Sequence, residues 1–279
     1  MGISVLMSIY QKEKTEYFQA AMESILAQTC PADEIVLIQD GPLTPELLDM
    51  IGKYQILLDD RRREQGLNRP RFVTYRFPEN VKLGRALAKG VELCTNEYIA
   101  RMDTDDIART GRLEVQLHYM ETHPQTAVLG GAIEEFNDEE TERHIKHMPT
   151  GTGNVRTYGR YRNPVNHMTV MMRKSAILDA GNYVHFPNLE DYHLWIRVLA
   201  KGYQLDNLEE VLVEARTNED FYGKRGGKGY WKRYMELRKM QHELGLTTLP
   251  QYLAACIATT VMVASPNQLR KRFYRILRR

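Results

Sequence analysis

Ile3-Ser4-Val5-Leu6-Met7-Ser8-Ile9, followed by Phe18, Met22, Ile25 and Leu26 at helical spacing and then by Ile35-Val36-Leu37-Ile38, decides the fold. Apolar runs of strand length on either side of a helical pattern read as a βαβ unit. Strands that are apolar on both faces imply a parallel sheet covered by helices on each side, a doubly wound α/β arrangement. Working outward, the pattern predicts strands at 71–76 and 98–102 with a helix over about 83–94 between them. Ligands of such a sheet lie beyond the carboxyl ends of its strands.

Those ends are polar: Ser8 and Tyr10 after the first strand, Asp40-Gly41-Pro42 after the second, and Asp103-Thr104-Asp105-Asp106 after the fourth. Gly84 opens the helix ahead of the acidic cluster, and a helix N-terminus can hold phosphate through its free N–H groups. No Walker-type or dinucleotide-binding glycine pattern is present. In an extended segment Asp103 and Asp105 point one way and Asp106 the other. Two carboxylates packed together are costly unless a cation lies between them. Mg²⁺ and Mn²⁺ take oxygen ligands and combine protein carboxylates with substrate phosphates, so a nucleoside diphosphate is the natural completing ligand. The alternative is a solvated acidic turn capping a helix over 112–123.

Beyond Pro124 the pattern loosens through Gly130-Gly131 and the mixed-charge run 134–147. A strand-like stretch at 168–172, begun by His167, precedes a helix over 189–201 that Gly202 stops. Glu190-Asp191 starts that helix, where the macrodipole favours negative side chains. If the helix start also faces the sheet edge, one carboxylate there could take a proton from an attacking hydroxyl. Trp195, one turn on from Asp191, would form an aromatic wall beside it. His167 reads as hydrogen-bonded scaffolding or as a secondary site residue. Residues 223–229 hold four glycines with Lys224, Arg225 and Lys228. That segment either closes over a diphosphate or is a solvated basic loop. A helical pattern resumes over 230–244, and no internal repeat is evident.

The chain has 279 residues, 43% apolar and 27% charged, an ordinary folded composition that excludes disorder, collagen and a disulfide miniprotein. Cys30, Cys94 and Cys256 are odd in number, far apart and without metal-ligand spacing, which points to a reducing cytoplasmic setting. The N-terminus has no signal-peptide pattern. No apolar run reaches the roughly 18 to 20 residues that a spanning helix needs. The formal charge of +2 hides an asymmetry: residues 1–210 carry 24 basic and 31 acidic side chains, net −7, and the remainder 14 and 5, net +9. The apolar stretch 252–264, then Pro266, then six cations among four apolar residues at 270–279, reads as an interfacial element. Anionic lipid attracts such a segment by about 1 kcal/mol per basic residue. Nucleic acid is the less favoured partner, because no recognised nucleic-acid module accompanies the charge. A helix capping the body of the fold is the third reading.

Ser4 to Tyr10, Asp40-Gly41-Pro42, Asn80-Val81-Lys82-Leu83-Gly84, Met102-Asp103-Thr104-Asp105-Asp106 and Glu190-Asp191-Tyr192-His193-Leu194-Trp195, in this order and spacing, resemble the family 2 inverting glycosyltransferases. The resemblance spans roughly residues 3–235. It is nearest to the bacterial enzymes of exopolysaccharide, capsule and lipopolysaccharide synthesis. It implies a GT-A fold with a nucleotide-sugar-binding half at 1–125 and an acceptor-binding half at 126–245, followed by the basic amphipathic tail, 246–279, read above from the sequence itself. It also implies a nucleotide-sugar donor, by default a UDP-sugar, and Mn²⁺ or Mg²⁺. Tyr10 and Asp40 then meet the base, Ser8 and Gly84 belong to the donor site, and Asp103 with Asp105 forms the D-x-D, Asp105 being the direct metal ligand. Asp191 matches the catalytic base, while Glu190 shapes the acceptor site together with Trp195 and His167. Two departures stand out: Ser8-Ile9-Tyr10 replaces a proline-containing turn, and Gln39 stands where a second acidic residue is common. Resemblance and tail together imply a glycan or polyprenyl-linked acceptor and a peripheral position on the inner face of the cell membrane. A sugar-1-phosphate nucleotidyltransferase is the rival reading, but Gln11-Lys12-Glu13-Lys14 lacks its glycine-rich basic signature. A non-catalytic sugar- or nucleotide-binding protein is the third.

Overall fold

The computed structural model describes residues 2–65, 70–138, 142–217 and 227–265, the side chains of 60–65 excepted. Its first half is β1 (Ile3–Ile9), α1 (Thr15–Leu26), β2 (Glu34–Gln39), α2 (Pro45–Gln65), β3 (Arg71–Arg76), α3 (Leu83–Leu93) and β4 (Tyr98–Met102), the expected elements with α2 added between β2 and β3. There follow β5 (Ile107–Ala108), α4 (Arg112–Thr122), β6 (Thr126–Phe136), β7 (His144–Lys146) and α5 (Thr152–Tyr158). A 3-10 turn at His167–Thr169 leads to β8 (Met171–Arg173), α6 (Lys174–Asp179), α7 (Glu190–Ala200), β9 (Gln204–Arg216), α8 (Gly227–Glu243) and α9 (Leu249–Ala264).

The strands form one sheet in the order β3-β2-β1-β4-β8-β6-β9-β5, with β7 on β6. β3, β2, β1 and β4 are parallel. From β4 onward the sheet is mixed, which corrects the all-parallel expectation: β8 runs antiparallel to both β4 and β6, while β6 and β9 are parallel. The chain reaches β8 from β7 by way of the short α5 and the 3-10 turn, and enters the sheet beside β4 in the antiparallel sense. His167 lies in that turn, ahead of a strand shorter than 168–172.

The apolar runs are continuous because both faces of the sheet are buried. Ile3, Val5, Met7 and Ile9 join Ile35 and Leu37 against Phe18, Met22, Leu47 and Ile51 of α1 and α2. Leu6, Val36 and Ile38 face the other way, onto Ala86, Leu87 and Val91 of α3 and the core shared with Leu194 and Trp195 of α7. Each fully buried aliphatic side chain contributes about 1.5 to 3 kcal/mol. Gly130 sits inside β6 because a Cβ there would lie 2.3 Å from Val165 Cγ1 and 2.5 Å from Asn207 Oδ1.

The last two helices attach to the α7 side. Tyr230, Tyr234 and Leu237 of α8 enter the second core. Arg238 is 4% exposed and donates to the carbonyls of Arg160 and Tyr161, to Tyr192 Oη and to Gln241 Oε1. Thr248 and Gln251 form a capping box that starts α9. One side of α9, at Ala255, Thr259 and Val263, is buried, so this helix does cap the body. Residues 266–279, the basic part of the expected tail, lie outside the described residues.

Candidate active site

The carboxyl end of β4 carries Asp103, Asp105 and Asp106, whose nearest ligand oxygens lie within 4.8 Å of one another. Their surroundings give them three different tasks. Arg101, buried in β4, grips Asp103 with both terminal nitrogens, one of these bonds being 2.6 Å long. Arg112 Nη2 in turn donates to the Arg101 carbonyl at 2.6 Å, and burial together with the Arg101 charge lowers Arg112 to about 9. Asp106 is buried and accepts the Arg216 N–H at 2.8 Å, and burial beside Asp103 and Asp105 pushes its carboxyl well up. Arg216 Nε donates to the Asp105 carbonyl at 3.1 Å, but among the described residues the Asp105 carboxylate receives no hydrogen bond or ion pair from a basic side chain. Burial first, then the charges of Asp103 and Glu13, raise it to about 7. A buried carboxylate with too little positive charge around it is what a divalent cation completes, so the residues present fit Mn²⁺ or Mg²⁺.

Glu13 belongs to this cluster and was not singled out from the sequence. It accepts a hydrogen bond from Thr104 Oγ1, and burial raises its carboxyl. Its loop carries no spacing that marks it. Tyr10 stays 43% exposed, and its phenol is raised by partial burial and then by Glu13 and Asp105, which places it over the acidic cluster. The Ser8 carbonyl is 3.5 Å from Thr104 Oγ1, so the end of β1 joins the same edge.

Asp40 is buried at the end of β2. Its Oδ1 accepts the Val81 N–H at 2.6 Å, and its carbonyl accepts from Asn80 Nδ2 at 3.2 Å. Desolvation raises its carboxyl despite these bonds. The segment it holds includes Lys82, whose φ of 74° and ψ of 155° lie in a region nearly reserved for glycine. Gly84 follows, and a Cβ there would lie 2.2 Å from the Val184 carbonyl oxygen and 3.4 Å from Glu190 Cβ. Glycine at this position therefore lets the start of α3 meet the segment leading into α7.

At the N-terminus of α7, Asp191 Oδ1 accepts the Tyr192 N–H at 2.7 Å and Oδ2 accepts from Asn163 Nδ2. Glu190 points inward, 9% exposed, and burial followed by the Asp191 charge raises it to about 7. His167 Nε2 lies 2.9 Å from Tyr183 Oη, and burial together with the Arg101 charge keeps the imidazole neutral. Trp195 corrects an expectation. It is fully buried, edge-on to His167 and Tyr183 at 6.0 and 6.4 Å, and so backs the site from within rather than forming an open wall. The shared face with Asp191 was right, but the apolar stripe of α7 turns that face toward the core.

Tyr183 is likewise unmarked in the sequence. Burial raises its phenol, and the charges acting on it are Arg101, Asp191, Glu190 and Asp103. Its hydroxyl lies 2.9 Å from His167 Nε2 and its ring 6.4 Å from Trp195 of α7, so it packs between the 3-10 turn and that helix. Arg225 lies outside the described residues.

An open α/β sheet with a metal-fitting acidic cluster at a strand end, extended by a mixed-strand half, defines the GT-A class of transferases. Crystal structures of S. aureus TarS share this fold. For the form spanning residues 1–349 the TM-score is 0.67 at 17% identity, covering 95% of this chain and 73% of that one. The complex of that form with UDP-GlcNAc gives 0.68 at 15% identity, covering 94% and 73%. The family model of glycosyl transferase family 2 matches residues 4–178. The amylovoran biosynthesis glycosyltransferase AmsE of Erwinia amylovora is 38% identical over 244 residues, covering 88% of this chain and 87% of the relative. An Escherichia coli UDP-Gal:alpha-D-GlcNAc-diphosphoundecaprenol beta-1,3-galactosyltransferase is 32% identical over 227 residues, covering 81% and 78%. The chain belongs to glycosyltransferase family 2. The matched stretch ends ahead of α7, so the position of Glu190 and Asp191 rests on the geometry.

Proposed function

We propose that this protein is a metal-dependent inverting glycosyltransferase of bacterial cell-surface polysaccharide synthesis, moving a sugar from a UDP-sugar to a hydroxyl of a polyprenyl-linked glycan at the inner face of the cell membrane. The observation that carries the reading is the cluster of Asp103, Asp105 and Asp106 at the carboxyl end of β4, whose ligand oxygens lie within 4.8 Å of one another. AmsE, whose name places it in amylovoran biosynthesis, supports the polymer class. The galactosyltransferase, named for a UDP-sugar and a diphosphoundecaprenol acceptor, supports both substrates. The TarS complexes with UDP-GlcNAc and with UDP support a uridine donor.

Asp191, oriented by Asn163, takes the proton of the acceptor hydroxyl. The oxygen attacks the anomeric carbon from the side opposite the diphosphate, so the configuration inverts. Asp105, with Asp103 beside it, would hold a divalent cation, which when bound would supply positive charge against the diphosphate leaving group. Arg101 keeps Asp103 in one orientation. Tyr10, Ser8 and Asp40 form the base side of the donor site, and Gly84 lets α3 approach it. Glu190 shapes the acceptor side, with His167 and Trp195 behind it.

Asp191→Asn should lower transfer by about 10²- to 10⁴-fold while leaving donor affinity intact. Retention of most of the turnover would remove Asp191 from this role. Asp105→Ala should abolish the Mn²⁺-dependent part of UDP-sugar binding in calorimetry with and without the metal, and an unchanged metal effect would place the cation elsewhere. Release of UDP marks transfer, whereas pyrophosphate release from a nucleoside triphosphate would mark the nucleotidyltransferase instead. Donor binding with neither transfer nor hydrolysis would mark a binding protein.

A further inference from the structure

α9 contains no charged residue over its sixteen positions, Leu249 to Ala264. Its inner side, Ala255, Thr259 and Val263, is buried against the body, and Arg238 Nε and Trp231 Nε1 of α8 donate to Thr259 and Thr260 at 3.4 and 3.0 Å. The outer side is a ridge of large apolar side chains four residues apart. Leu249, Leu253, Ile257 and Val261 are 55, 51, 66 and 58% exposed. At about 1.5 Å per residue the ridge runs about 18 Å. Scattered exposed apolar residues are normal, but four in one continuous row on an uncharged helix mark an interaction surface. Trp231, itself 40% exposed, stands beside it on α8. No helix among the described residues is long and apolar enough to cross a membrane.

What covers the ridge is indicated by the chain that follows it. Ser265 ends the described helix, and the next fourteen residues contain Arg270, Lys271, Arg272, Arg275, Arg278 and Arg279 with no acidic residue. An apolar ridge joined to six cations is complementary to a surface that is apolar within and negatively charged outside. We propose that the outer face of α9 seats the protein on an anionic lipid bilayer, the ridge entering the headgroup boundary of a surface whose negative charge is complementary to the basic sequence after the helix. A second copy of this chain would bring a second set of the same six cations to the contact, which disfavours self-association. The seat is also close to the proposed base: Arg238 bonds Thr259 of α9 on one side and Tyr192, the neighbour of Asp191, on the other. The proposal goes beyond the enzymatic reading and needs neither donor nor metal.

The test is co-sedimentation of the full chain with vesicles of phosphatidylglycerol and phosphatidylethanolamine, and with vesicles of phosphatidylcholine alone. Wild type should bind the anionic vesicles at least about tenfold more tightly than the neutral ones, and added salt should weaken that binding. Leu253→Glu with Ile257→Glu should lower anionic-vesicle binding by about tenfold or more, with the melting temperature and UDP release kept. Leu253→Ser with Ile257→Ser provides the milder version should the glutamates impair folding. Undiminished binding by a folded ridge variant, or equal wild-type binding to both vesicle types, would overturn the proposal. So would a dimer in sedimentation equilibrium that the same substitutions dissolve. Loss of UDP release in a variant that still binds vesicles would count against the catalytic reading instead.

Discussion

Glu190 occupies its position at a cost. Its carboxyl is raised from 4.5 to about 7, mainly by burial and then by Asp191 one residue away. The folded chain therefore binds more protons at this site than the unfolded chain does between those two values. Stability falls as pH rises through that window, and above it the penalty is about 3 kcal/mol. Glu190→Gln should accordingly raise the stability at pH 8 by up to that amount and change it little at pH 5, as read from urea unfolding at the two pH values. Equal effects at both would mean that the carboxylate is not desolvated as its surroundings indicate. Asp105 shows the same signature of a carboxyl held where its charge is poorly compensated. Natural sequences retain such groups where chemistry uses them.

Among the elements, α3 and α7 bring the two halves of the site together, and the tightest point is Gly84. A Cβ there must displace the Val184 backbone. Gly84→Ala should therefore cost about 1 to 3 kcal/mol in equilibrium unfolding despite the better helix propensity of alanine. A neutral or stabilising result would show that the contact yields easily. The elements of the first half were legible in the sequence because each is a continuous apolar run or a regular helical pattern. Tyr10, Asp40, Asp103 and Asp105 were legible because they sit where such strands end. β6 and β9 were not, since Gly130-Gly131 breaks the apolar run of the first and the polar residues Asp206-Asn207 and Glu209-Glu210 interrupt the second, while the two strands, far apart in sequence, complete each other. Arg101 left a signal that was passed over: a cation inside an otherwise apolar strand, two residues ahead of an aspartate. Glu13 and Tyr183 left none, because only tertiary packing carries them to the site. Trp195 was placed on the correct face, but whether that face met solvent or core was not written in its spacing.

At the scale of the molecule, Arg238 is the joint between the sheet-bound half of the enzyme and its last two helices. It is buried, no carboxylate among the described residues pairs with it, and five oxygen acceptors share its guanidinium. Arg238→Ala would strand these groups together and should lower stability by about 3 kcal/mol or more, measured by chemical denaturation. A loss below about 1 kcal/mol would show that α8 and α9 are held by their apolar contacts alone. The sheet itself has a further consequence. β4, which ends in the acidic cluster, is hydrogen-bonded directly to β8, and β8 to β6, so the proposed donor and acceptor sides share one unbroken ladder. A clamshell motion of one half against the other would have to tear that ladder. Admission of substrates and departure of the spent nucleotide must therefore be the work of loops, over a floor that stays still throughout the cycle.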